Sequence, residues 1–148
     1  MFFLKELPSR ETLETYHERF PSMNVDNVQA ALHMLRRASS LMRELDTYFA
    51  ENGLSTLRYL ILVVLDRENH PDGLKVSELA DRVDVSRPVM TRTIQGLVED
   101  GMLTCEASDE DSRAKLVSLT RAGRNRLNRV LPGYYQLIDR FMSRDERC

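Results

Sequence analysis

Cysteine, long apolar runs and clustered metal ligands are what this chain has least of. Cys105 and Cys148 are the only two cysteines in 148 residues, too few for a disulfide framework, so a reducing cytoplasm is the expected setting. The longest uninterrupted apolar run is Leu60-Ile61-Leu62-Val63-Val64-Leu65, far short of the roughly 18 residues a membrane-spanning helix needs. Met1-Phe2-Phe3-Leu4 meets Lys5-Glu6 at once, with no basic start and no small-residue cleavage site, so no export signal is expected. His17, His33 and His70 are scattered, and no His or Cys pair has zinc-ligand spacing with a second pair behind it. Neither a metal nor any other cofactor is expected. Without a Gly-rich phosphate loop, a nucleophile elbow or a convincing carboxylate pair, catalysis has no candidate residues. Internal repeats and low-complexity segments are also missing.

What is present is the composition of one folded domain. Hydrophobic residues make up 42% and charged residues 30%, enough apolar surface for a core and enough polarity for solubility. The net charge of −2 argues against an obligate polyanion binder, but the charge is unevenly placed. Up to Leu57 there are 6 basic and 8 acidic residues, and from Arg58 onward 15 of each. Basic residues group at Arg82, Arg87 and Arg92, at Arg113 and Lys115, and at Arg121, Arg124, Arg126 and Arg129, so local basic faces are expected on a mildly acidic whole.

Glycine and proline punctuate the chain. Pro8 and Pro21 bracket a short charged helix from about Ser9 to Phe20, with Ser9 as its cap and Leu13, Tyr16 and Phe20 at helical spacing. Asn24 caps a long helix to about Ala50, along which Val28, Ala31, Leu35, Ala38, Met42, Leu45 and Phe49 alternate three and four apart. At about 1.5 Å per residue it is about 40 Å long, more than a small domain covers, and it should meet a partner. Asn52-Gly53 ends it, and Ser55 or Thr56 starts a largely buried helix to about Glu68. The turn His70-Pro71-Asp72-Gly73 leads into two short helices, Val76 to Arg82 and Ser86 to Glu99, joined by Val83-Asp84-Val85. That spacing is a helix-turn-helix. After Gly101 come two β-like runs, Met102 to Glu106 and Lys115 to Leu119, around a polar turn; a hairpin in this place is a wing. Thr120 caps a helix from Arg121 to about Leu131, Pro132-Gly133 is expected to break it, and a last helix continues through Phe141. Leu127, Leu131, Tyr134, Ile138 and Phe141 repeat the apolar stripe at this end. The expected fold is mainly α with a small β-hairpin wing (α+β). An N-terminal extension and dimerisation helix occupy 1–53, a winged helix-turn-helix lobe 54–120, and C-terminal dimerisation helices 121–148, within one structural domain.

The second helix of the pair has the pattern of a DNA-reading element. Met90, Ile94 and Leu97 fall on one face, while Arg87, Thr91 and Gln95 lie four apart on another, next to Pro88 and Arg92. Arg can bond guanine O6 and N7 in bidentate fashion, Gln can pair with adenine, and Thr can touch phosphate or a thymine methyl. Ser86 would cap this helix and leave its positive end near a phosphate. On the wing, Asp111 stands two residues before Arg113 and can hold the guanidinium extended toward a minor groove, with Lys115 placed for phosphate. A solvated amphipathic helix and a surface ion pair are the bland alternatives. The acidic neighbours Glu106, Asp109 and Glu110 count against DNA. Cys105 reads as a small packing residue, since the adjacent Glu106 disfavours a thiolate.

The segments Val76-Ser77-Glu78-Leu79-Ala80, Val85-Ser86-Arg87-Pro88-Val89-Met90-Thr91-Arg92, Gly101-Met102-Leu103 and above all Asp111 to Gly123 make the chain similar to the multiple-antibiotic-resistance regulator (MarR) family, from about Asn24 to Phe141. The resemblance implies a winged-helix homodimer that binds a pseudo-palindromic operator in double-stranded DNA, commonly as a repressor, and releases it to a small aromatic or phenolic effector. It also directs attention to His33, Arg36, Arg37 and Arg43 on the long helix and to Tyr59 on the next as effector contacts, an arginine suiting a carboxylate and Tyr59 a ring; exposed charges and a core tyrosine are the alternative. Gly96 departs from the family pattern, which usually has a longer polar residue there, and the first twenty or so residues exceed its shortest members. A winged-helix protein-interaction module without DNA binding is the second reading, and a salt-dependent affinity for duplex DNA separates the two.

Overall fold

The computed structural model describes Phe2 and residues 4–108 and 114–144. Two compact units divide the chain, Met1–Leu45 and Asp46–Cys148. The first holds α1 (Arg10–Arg19) and the start of α2 (Val25–Glu51). Ser9 caps α1 by accepting from the Thr12 amide at 3.1 Å, and Asn24 Oδ1 accepts from the Asn27 amide at 2.9 Å at the start of α2. Both caps follow from short polar side chains satisfying first-turn N–H groups. Leu13 is buried, but Tyr16 and Phe20 stay exposed, with the Arg19 guanidinium over both rings. Arg10 joins the two helices, pairing with Glu14 at 3.1 Å and Asp26 at 2.8 Å. Farther along α2, Met34, Leu35 and Met42 are 70%, 51% and 49% exposed.

The second unit contains the end of α2, α3 (Thr56–Glu68), β1 (Leu74–Lys75), α4 (Val76–Arg82), α5 (Arg87–Glu99), β2 (Leu103–Ala107), β3 (Lys115–Leu119) and α6 (Arg121–Arg144). Phe49, Ile61, Leu62, Leu79, Met90, Leu97, Leu103, Val117, Leu127 and Val130 form its fully buried core. Ser55 caps α3 through the Arg58 amide at 3.1 Å, and Asn69 closes that helix in the left-handed conformation at φ 42°, which Asn tolerates better than most residues. The sheet is antiparallel with order β1-β3-β2. Cys105 lies opposite Val117 and Leu103 opposite Leu119, so Cys105 is half-buried on the core side of the wing, as a packing residue should be.

Two expectations about the elements change. Strand β1 is not among the expected elements. It is two residues long and acquires its identity only by pairing Leu74 with Val117 and Lys75 with Leu116. The C-terminal helices are one helix, α6, with Pro132 inside it. Tertiary contact explains why the helix continues. A Cβ on Gly133 would collide with the Tyr48 hydroxyl and ring, so the glycine makes room for Tyr48, whose hydroxyl donates to the Val130 carbonyl at 2.7 Å. The Pro132-Gly133 pair marks a docking point for an aromatic ring, and the helix passes through it.

Candidate nucleic-acid interface

Helix α5 sorts its residues by face. Met90, Ile94 and Leu97 are buried, whereas Arg87, Pro88, Thr91, Arg92 and Gln95 are exposed. Steps of three and four residues put the exposed set in one patch, as the sequence pattern required. Val89, 43% exposed, borders this patch through Arg92, three residues on; its apolar side chain carries no hydrogen-bonding signal that would mark it in the sequence. Ser86 takes the N-cap backbone conformation, but its hydroxyl makes no capping bond. Pro88 explains this departure, because an N-cap side chain bonds the amide of the second or third helical residue and the second is here a proline. First-turn amides are therefore left without Ser86 as acceptor.

The basic surface is smaller than the sequence suggests. Arg82 lies along the Glu68 carboxylate at 3.2 and 3.4 Å and donates to the Glu78 carbonyl at 2.8 Å. Arg124 pairs with Asp66 at 2.6 Å, and Arg126 donates to the Asn52 carbonyl. These cations are each held by an acceptor on the protein itself. Among the described residues, Arg87 and Arg92 form no salt bridge. Gly96 also finds a local reason. A Cβ there would stand 2.7 Å from Arg58 Nη2, and Arg58 reaches across this space to bond Asp100 Oδ2 at 2.5 Å. An arginine from α3 thus occupies the place of a recognition-helix side chain.

Behind α5 the chain is tied into a junction. Gly101, at φ 74°, adopts the left-handed conformation that glycine takes without a steric cost. The Met102 amide then donates to the Leu97 carbonyl at 2.9 Å and the Thr120 amide to the Met102 carbonyl at 3.1 Å. Thr120 Oγ1 donates to the Gly101 carbonyl at 2.6 Å and accepts from the Gly123 amide at 3.0 Å. A Cβ on Gly123 would overlap the Met102 carbonyl oxygen, so Thr120 and Gly123 together let α6 start against the backbone of β2. Lys115 is exposed on the wing, opposite Ala107, and the ladder extends one step to Ser108 and Ala114. Asp111 and Arg113 lie outside the described residues, as do Asp109 and Glu110.

The effector candidates fall in different units. His33, Arg36, Arg37 and Arg43 belong to the first: His33 is exposed, Arg36 donates to the Lys5 carbonyl, Arg37 is half-buried, and Arg43 Nη1 donates to Ser39 Oγ at 3.4 Å. Tyr59 belongs to the second and is buried. It stacks on Phe49 at 4.3 Å between centroids and lies 5.0 Å from the Tyr134 ring. Burial, reinforced by Tyr134, raises its pKa above the ordinary tyrosine value.

The comparisons with known proteins agree with this geometry. The MarR family model matches residues 52–114, a span that takes in α3, both helices of the helix-turn-helix and the first wing strand. The HTH-type transcriptional repressor YetL of Bacillus subtilis (strain 168) is 29% identical over 140 residues, or 94% of this chain and 83% of that protein. A MarR family transcriptional regulator from Silicibacter pomeroyi, solved by crystallography, is 30% identical over 75% of this chain and 73% of its own, with a TM-score of 0.63. The M. tuberculosis transcriptional regulator MOSR, solved in complex with DNA, is 26% identical over 78% of this chain and 81% of its own, with a TM-score of 0.61. With its helix-turn-helix, wing strands and Thr120-to-Gly123 junction in place, and with sequence and fold shared across three-quarters of a solved relative, this chain belongs to the MarR family.

Proposed function

We propose that this protein is a homodimeric, sequence-specific DNA-binding transcriptional regulator that acts in the cytoplasm as a ligand-responsive repressor and catalyses no reaction. The observation that carries the reading is the exposed patch on α5, where Arg87 and Arg92 have no carboxylate partner among the described residues. In this role α5 enters the major groove of a pseudo-palindromic operator. Arg87, Thr91 and Gln95 meet base edges, Arg92 meets phosphate, and the helix start at Ser86 and Pro88 approaches the backbone. On the wing, Lys115 meets phosphate and Asp111 holds Arg113 in a minor groove. YetL's description as a repressor supports the sign of regulation. The effector in this role is a small aromatic or phenolic compound.

The test begins with selection of bound sequences from random duplex DNA, followed by salt titration of the selected duplex by fluorescence anisotropy. Log affinity should fall linearly with log salt. Gln95→Ala should change the preference at one half-site position at a cost of about 1 to 3 kcal/mol. Arg92→Ala should weaken all sequences alike and lower the slope by about one contact. Affinity indifferent to salt and to both substitutions removes the reading.

A further inference from the structure

We propose that Val89 is a specificity-determining residue that reads the C5-methyl group of a thymine in each half-site; the inference rests on α5 being the DNA-reading helix. Val89 is the third residue of α5 and 43% exposed. Its branched side chain gives the helix no advantage there, because β-branched residues lose side-chain freedom in helices and rank below unbranched ones. Helix propensity therefore does not account for a branched side chain at this point. The surroundings do. Arg92, three residues on and so beside Val89 on the helix surface, is exposed and without a carboxylate partner among the described residues, so the surface next to Val89 suits a phosphate-lined groove. Thr93, four residues on and half-buried, donates its hydroxyl to the Val89 carbonyl at 2.8 Å. That bond commits the Thr93 hydroxyl to the helix backbone and leaves Val89 as an exposed apolar group beside Arg92.

Duplex DNA presents one apolar group in the major groove, the thymine methyl, and it lies at the depth reached by the first turns of a recognition helix. Cytosine, which lacks that methyl and offers an amino donor, would leave its donor facing a side chain that cannot accept. Val89 therefore favours a T·A pair at its position while Arg87 and Gln95 read the neighbouring edges by hydrogen bonds.

The experiment uses the full chain and the duplex of highest affinity recovered by selection from random DNA. Each thymine in a half-site is replaced in turn by deoxyuridine, which removes one methyl group and leaves base pairing intact. Wild type should lose about fourfold in affinity at one position per half-site, the effect of about one buried methyl group. Val89→Ala, an exposed change to the best helix former, should lose a similar factor per half-site, and so about its square on the thymine duplex, and show no further loss with deoxyuridine at that position. The inference is overturned if wild type is indifferent to every replacement, or if Val89→Ala remains as sensitive as wild type. Failure of wild type to retain any duplex overturns the regulator reading and this inference together, whereas retention without methyl sensitivity overturns the inference alone.

Discussion

Gly123 and Gly96 face different neighbours and should respond differently to the same substitution. At Gly123 the obstacle is the Met102 carbonyl, backbone already held by the Thr120 amide, so Gly123→Ala should cost about 1 to 3 kcal/mol through overpacking. At Gly96 the obstacle is the tip of Arg58, a partly exposed side chain that can swing away. Gly96→Ala gains up to about 1 kcal/mol of helix propensity and gives up an exposed ion pair worth about 0 to 1 kcal/mol, so its net effect should stay within about 1 kcal/mol. Urea unfolding of both variants checks this, and equal losses would mean that Arg58 is as fixed as backbone. Tyr59 supplies a pH signature. Its folded-state pKa is raised by burial first and by Tyr134 second, so its contribution is complete below the unfolded value of about 10 and is lost as pH rises above it. Between about pH 8 and about pH 11, wild type should lose more stability than Tyr59→Phe, with the difference opening only above about pH 10; parallel curves would place the tyrosine in contact with water.

Caps explain why most helices were legible in advance. Ser9, Asn24 and Ser55 each satisfy the amide three residues away, so the signal and its effect are both local. Ser86 carried the same signal and made no bond, because Pro88 removed one of its two target amides. Strand β1 could not be read, since two residues have no period and depend on a strand more than forty positions later. The break expected at Pro132 failed for a related reason. An internal proline costs about 3 kcal/mol in an isolated helix, but Tyr48 arrives from α2 to pack on Gly133 and bond the Val130 carbonyl. Tyr48→Phe should therefore destabilise the second unit by about 0.5 to 1.5 kcal/mol, the worth of one hydrogen bond. Amide exchange should rise locally around Tyr134, and unchanged exchange there would show that α6 needs no support at the proline.

For the molecule as a whole, the apolar stripes were legible but the depth of each member was not. Phe49 is buried while Leu35 and Met42 on the same helix remain about half exposed. Nor could the sequence separate Arg87 and Arg92 from Arg82 and Arg124, because pairing with Glu68 and Asp66 is a tertiary event. Patches of exposed apolar side chains mark association surfaces, so Leu35→Glu and Met42→Glu should shift the protein from dimer to monomer in sedimentation with helix content unchanged. A dimer surviving both changes would exclude this part of α2 from the interface. The end of α5, the root of the wing and the first turn of α6 are tied by three hydrogen bonds, so none of them can swing alone. At about 1.5 Å per residue α6 is about 36 Å long, and its first turn is pinned to the end of α5 and to the root of β2. A tilt of α6 should therefore carry α5 and the base of the wing strands with it.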